Sequence, residues 1–187
     1  MTQKKKLYKG VSCAVWGCLF LHVDITVGTI NLTPEFAAYL LFLVSISCLQ
    51  EEVRDFVLLR PLGILLAAWT FFQYASVYLG IEFTSQWQAI PLIMKVVKLY
   101  FDFQLITDFA ILAAQYQPTK SNIAHRLRCW RNVQTVLETV LSVSILGWSS
   151  KAVWEYWHFI PVLLGVVTSL SLMAALIDLK GVFDEDA

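Results

Sequence analysis

The sequence predicts an all-α integral membrane protein: one polytopic bundle of about six transmembrane helices, with both termini in the cytoplasm. Three observations predict it. The first is composition. Of the 187 residues 58% are hydrophobic and 15% charged, and the mean hydropathy is +0.64. Soluble domains average about 45–50% apolar and about 25% charged residues. The second is the spacing of apolar runs. A helical crossing needs about 20 apolar residues, so six crossings with short connections use nearly the whole chain and leave no room for a soluble domain. The third is where the basic residues fall, taken up once the spans are placed.

Span one covers residues 10–30 and span two, after a very short loop, residues 34–49. Thr33-Pro34-Glu35 reads as a helix start, with a threonine cap, proline at the first helical position and an acid in the first turn. Span three covers residues 61–79, again opening on a proline, Pro61. Span four, residues 87–116, would be roughly 45 Å long at 1.5 Å per residue. That exceeds the roughly 30 Å hydrocarbon core, so it must tilt or protrude before Pro118 ends it. Span five covers residues 130–148 and span six residues 153–179, followed by a short acidic tail from Phe183 that is expected to be mobile. All of residues 1–187 form a single transmembrane domain in this reading.

With the N-terminus inside, the inner segments carry Lys4, Lys5, Lys6, Lys9, Arg54, Arg60, Lys120, Arg126, Arg128, Arg131 and Lys180, and the outer segments only Lys151. Basic residues favour the cytoplasmic side, so the asymmetry sets both the orientation and the even number of crossings. Aromatic residues suited to the headgroup level, including Phe83, Trp87, Trp148, Trp154 and Trp157, flank the outer loops. Lys4-Lys5-Lys6 before an apolar run resembles a signal peptide. His22 and Asp24 interrupt that run, however, and no small-residue cleavage site follows. The first helix is therefore expected to be retained.

Charged side chains within hydrocarbon are costly and mark function or an essential pairing. Span four carries Lys95, Lys98, Asp102 and Asp108. At 100° per residue Lys95, Lys98 and Asp102 share a face about 60° wide, with Gln104, Asp108 and Gln115 roughly opposite. A helix polar on two sides is expected at the centre of a bundle. His22 and Asp24 lie in the outer half of span one. Glu138 lies on a polar stripe of span five with Arg131, Gln134, Thr135 and Ser142. The candidate polar cavity or ion-pair network is thus His22, Asp24, Lys95, Lys98, Asp102, Asp108 and Glu138. Lys98 can pair with Asp102 or Glu138, and Lys95 with Asp24. The plainer alternatives are that Lys95 snorkels to the headgroups, that Lys98 and Asp102 satisfy only each other, and that His22 is a packing histidine rather than a titrating one.

No H-E-x-x-H, G-x-S-x-G or glycine-rich phosphate loop occurs. The three histidines are scattered, and Cys13, Cys18, Cys48 and Cys129 form no C-x-x-C pair. The sequence therefore offers no catalytic group, no cofactor and no metal. The basic stretch from Gln117 to Asn132 reads as an inner loop touching anionic headgroups, and nucleic acid is not an expected partner.

The segment from Asp24 through Leu32-Thr33-Pro34-Glu35-Phe36 to Tyr39 resembles the first hairpin of small, functionally uncharacterised bacterial polytopic membrane proteins, in which a helix-one Asp precedes a Leu-Pro-Asp-Phe-x-Gly-Tyr-like turn. Glu35 replaces that Asp and Ala38 the glycine. The resemblance implies a multi-pass protein of a bacterial inner membrane and brings no activity with it.

The expected function is handling of a small solute or ion through a polar cavity around span four, as a transporter, a channel-like protein or the membrane subunit of an uptake or efflux system. An interaction or regulatory subunit without transport is the alternative, docking a second membrane protein through Gly10, Ala14 and Gly17. A membrane-embedded enzyme is the third. In every case the lipid bilayer is the first partner.

Overall fold

The computed structural model describes residues 3–22, 26–27, 30–31, 34–79, 89–118, 121–143 and 159–184. Among the described residues there are six helices: α1 (Gln3–His22), α2 (Glu35–Leu49), α3 (Phe56–Leu79), α4 (Ala89–Tyr116), α5 (Ile123–Val143) and α6 (Phe159–Asp184). Two short strands, β1 (Thr26–Val27) and β2 (Ile30–Asn31), form an antiparallel hairpin between α1 and α2, with Thr26 opposite Asn31. The protein is helical, as the sequence predicts. Two stretches among the described residues are long and apolar enough to cross a membrane, Phe56–Val77 in α3 and Leu163–Asp184 in α6.

Helix ends depart from the sequence reading for local reasons. The residue capping α2 is Pro34, in extended conformation and without a side-chain cap; Thr33, the expected cap, is outside the described residues. Pro61 does not open α3 but sits inside it. The chain winds into this helix earlier, through i→i−3 bonds from Phe56 to Val53, Val57 to Arg54 and Leu58 to Asp55. The proline then removes a single backbone donor near the helix start.

The largest correction concerns the basic stretch, which is not a loop beyond its first residues. α5 already begins at Ile123, because Ile123, Ala124 and Leu127 recur on one face and are buried there, while His125, Arg126 and Arg128 point outward. A hydropathy reading averages the two faces into a loop, whereas helical periodicity separates them. At the other end of the chain α6 runs on to Asp184. Phe183 is therefore not part of a free tail: it is 4% exposed and its ring packs edge-on against Tyr116 at 5.4 Å.

Each helix packs chiefly against two others. The order α1, α2, α3, α4, α5, α6 is closed by contact of α6 with α1. The helices alternate in direction, as contacts at one end show. There Lys6 pairs with Glu51 at 3.1 Å, and Gln3 donates to Glu52. The Tyr116 hydroxyl donates to the same Glu52 carboxylate at 2.7 Å, Lys180 lies 5.0 Å over the Tyr8 ring, and Arg126 pairs with Asp178 at 2.5 Å. The start of α1 and the end of α6 thus share one end of the bundle.

The expectation that span four is a hub enclosed by the other helices is not met. α4 is one wall of the ring, packed against α3 and α5, with Leu92, Ile93, Val96 and Tyr100 exposed. Two of its polar pairs form one turn along the same helix. Lys98 bonds Asp102 at 3.3 Å, and the Gln104 amide donates to Asp108 at 2.8 Å. Its inner face reaches across the ring, where Phe101 packs against Tyr39 and Phe42 of α2. α1 and α2 approach closely at Gly10 and Gly17. A Cβ at either would stand 2.7 Å from the nearest atom of Leu49 or Phe42, respectively. The small-residue face of span one, which the sequence offers to a second protein, is filled from within the chain.

Candidate functional site

Four consecutive helices of the ring, α2 to α5, border a cavity of about 600 Å³ in the half of the bundle away from the chain ends. The start of α2 contributes Glu35 and Tyr39, and the second half of α3 contributes Leu66, Trp69, Thr70 and Gln73. α4 contributes Met94, Lys95, Lys98 and Leu99, and α5 contributes Glu138, Thr139, Leu141 and Ser142. The helical period explains each set. Glu35 and Tyr39 are four apart and Lys95 and Lys98 three apart, as are Thr70 and Gln73, so each pair shares a face.

Lys98 lies nine residues into α4, about 14 Å along it. Its ion pair is with Asp102, at 3.3 Å, with 31% of the lysine side chain and 11% of the aspartate side chain still accessible. Glu138 borders the same cavity but is not an ion-pair partner of Lys98 among the described residues. One oxygen of its carboxylate accepts a hydrogen bond from the Gln134 amide at 3.0 Å. Lys98 and Tyr39 nevertheless lie in each other's electrostatic field and in those of Asp102, Glu35 and Glu138, and the field at Asp102 includes Lys98, Glu138 and His22.

Tyr39 is fully buried, borders the cavity, and its hydroxyl has no hydrogen-bond partner. More than nine in ten buried polar groups are satisfied in folded proteins, so this hydroxyl is an exception within the cavity wall. By contrast, the Thr70 hydroxyl already donates to the Leu66 carbonyl at 2.8 Å.

The structure divides the candidates named from sequence. Lys95, Lys98 and Glu138 come together at the cavity, and Asp102 stands behind Lys98. His22 does not border it; this residue is exposed at the end of α1, its Nδ1 2.8 Å from the Cys18 carbonyl oxygen. Asp108 is also elsewhere, buried, with one carboxylate oxygen held by Gln104 and the other without a partner. Asp24, and with it the Lys95–Asp24 pair, lies outside the described residues. Arg131, on the polar stripe of α5, donates to the Thr107 hydroxyl at 2.7 Å and stacks 4.1 Å over the Phe103 ring.

Sequence reading missed the far wall of the cavity: Glu35, Tyr39, Trp69, Thr70 and Gln73. The signal was present as polar residues at i, i+3 or i, i+4 on otherwise apolar spans, but each pair alone reads as ordinary. Among the described residues no three His, Cys, Asp or Glu side chains gather as metal ligands do. What the site offers is charge of both signs and an apolar lining. The chain matches no protein-family model, no curated protein and no solved structure.

Proposed function

We propose that the chain is a six-crossing membrane protein, with its ends in the cytoplasm, that binds a small solute in the cavity between α2, α3, α4 and α5 and works as a transporter or as the solute-binding membrane subunit of an uptake or efflux system. The observation that carries the solute site is the meeting of Lys95, Lys98 and Glu138 with apolar side chains around a space of about 600 Å³ between four helices. Small-molecule sites are concave, largely apolar and supplied with a few placed polar groups, in volumes of about 300–1,000 Å³.

Two further features support the membrane setting. Large apolar side chains stand exposed around the ring, among them Leu58, Phe72, Val77, Leu79, Leu163 and Leu170; contiguous apolar surface of this kind is rare on soluble monomers. The basic residues of α1, the α2–α3 turn and α5 gather at the end that holds the start of α1 and the end of α6, as basic residues do at cytoplasmic ends.

The test is whether water-borne reagents reach the cavity. In a background with Cys13, Cys18, Cys48 and Cys129 changed to alanine, Thr70→Cys should react with a charged, membrane-impermeant thiol reagent. Failure to react, while a cysteine at the exposed Lys4 position does, would overturn the solute-cavity reading.

A further inference from the structure

We infer that the cavity takes a zwitterion: a small solute carrying one carboxylate and one ammonium on an apolar body, of the kind amino acids present. The inference rests on the solute-cavity reading above and adds the chemical class of the solute.

The charges around the cavity are segregated by helix. Both lysines, Lys95 and Lys98, come from α4, whereas the carboxylates come from the flanking walls, Glu35 from α2 and Glu138 from α5. Lys98 spends one of its three donors on Asp102 and keeps 31% of its side chain open. Lys95, exposed on the same face of α4, supplies a second cationic group. A carboxylate placed between them would satisfy both. Glu138 has one oxygen engaged by Gln134, which fixes the carboxylate and leaves acceptor capacity for an ammonium. The apolar part of the lining includes Leu66, Trp69, Leu99 and Leu141, a bed for an apolar or aromatic body.

Single-charge ligands fit less well. A simple cation meets Lys95, and a simple anion meets Glu35 and Glu138. Like-charge juxtaposition is one way binding sites reject the wrong partner. A ligand with separated opposite charges turns both repulsions into attractions.

Three probes with the same ring body separate the possibilities: L-tryptophan, tryptamine and indolepropanoate, measured by equilibrium dialysis against the full chain in detergent. L-Tryptophan should bind at least about tenfold more tightly than either of the others, the equivalent of about 1.4 kcal/mol. Lys95 is exposed, so Lys95→Met should fold and should narrow the gap between L-tryptophan and tryptamine. Glu138→Gln, which keeps the amide contact possible, should narrow the gap to indolepropanoate. Tryptamine or indolepropanoate binding as tightly as L-tryptophan would overturn the inference. If none of the three binds while Thr70→Cys still reacts from water, the zwitterion is wrong and the solute cavity stands. If Thr70→Cys is also unreactive, both fall.

Discussion

Lys98 and Asp102 show how one turn of helix decides whether charge can be kept in an apolar wall. The aspartate is 8% exposed, and an unpaired carboxylate there would have to take up a proton or bring in water. The lysine one turn earlier supplies a countercharge at 3.3 Å. Exposed pairs contribute about 0–1 kcal/mol, and breaking a fully buried one costs about 3–5 kcal/mol. This pair lies between, so Lys98→Met should destabilise the fold by about 2 kcal/mol in a detergent unfolding titration. Lys98→Met combined with Asp102→Asn should recover most of that loss, because the stranded charge is then gone. A second residue-scale prediction concerns Glu52, in the turn after α2. Hydrogen bonds from Gln3 and the Tyr116 hydroxyl hold its carboxyl below the usual carboxylate range. A group with a depressed folded pKa contributes stability above its unfolded pKa and loses it as pH falls through the folded one. Stability measured from about pH 7 down to about pH 3 should therefore fall less steeply in Glu52→Gln than in the unaltered protein.

At the scale of elements, the helices were legible in the sequence wherever apolar runs were long, and illegible where one face was charged. α5 is the example: its buried Ile123, Ala124 and Leu127 and its outward Arg126 and Arg128 belong to one helix, yet window hydropathy places a loop there. The pairing of Lys98 with Asp102 was legible because i, i+4 spacing is a local property. The cavity was not, because its far wall depends on which helices become neighbours, and nothing along the chain says that α2 and α5 flank the same space. The α1–α2 seam makes an element-scale prediction. Gly17 faces the ring of Phe42 so closely that a Cβ would stand 2.7 Å from it, and Phe42 is itself locked in contact with Tyr39 and Phe101. Gly17→Leu should thus cost about 1–3 kcal/mol by overpacking, read from the thermal unfolding midpoint. Gly181→Ala, where nothing lies within 4 Å, should be neutral or slightly stabilising, since alanine gains about 1 kcal/mol over glycine in a helix.

For the whole molecule the decisive feature is the closed ring of alternating helices. An even number of alternating helices returns the chain to the end where it began, and here side chains fasten that end: Lys6 to Glu51, Arg126 to Asp178, and Lys180 over Tyr8. The basic residues of α1 and α5 lie at this same end. Topology follows the placement of lysine and arginine, and acidic residues contribute little to it, so the neighbouring Glu51, Glu52 and Asp178 do not cancel the bias. The cavity lies in the opposite half, so orientation also fixes the half of the membrane in which a solute would bind. Cysteines introduced singly at Lys4 and Asp184 in the cysteine-free background report this directly. Both should react with an impermeant thiol reagent in inside-out vesicles and both should be protected in intact cells, whereas Thr70→Cys should show the reverse preference. Opposite protection of the two terminal positions would mean an odd number of crossings and would break the ring as a transmembrane arrangement. Reversed protection of all three would keep the ring, place the chain ends outside and turn the cavity toward the cytoplasm.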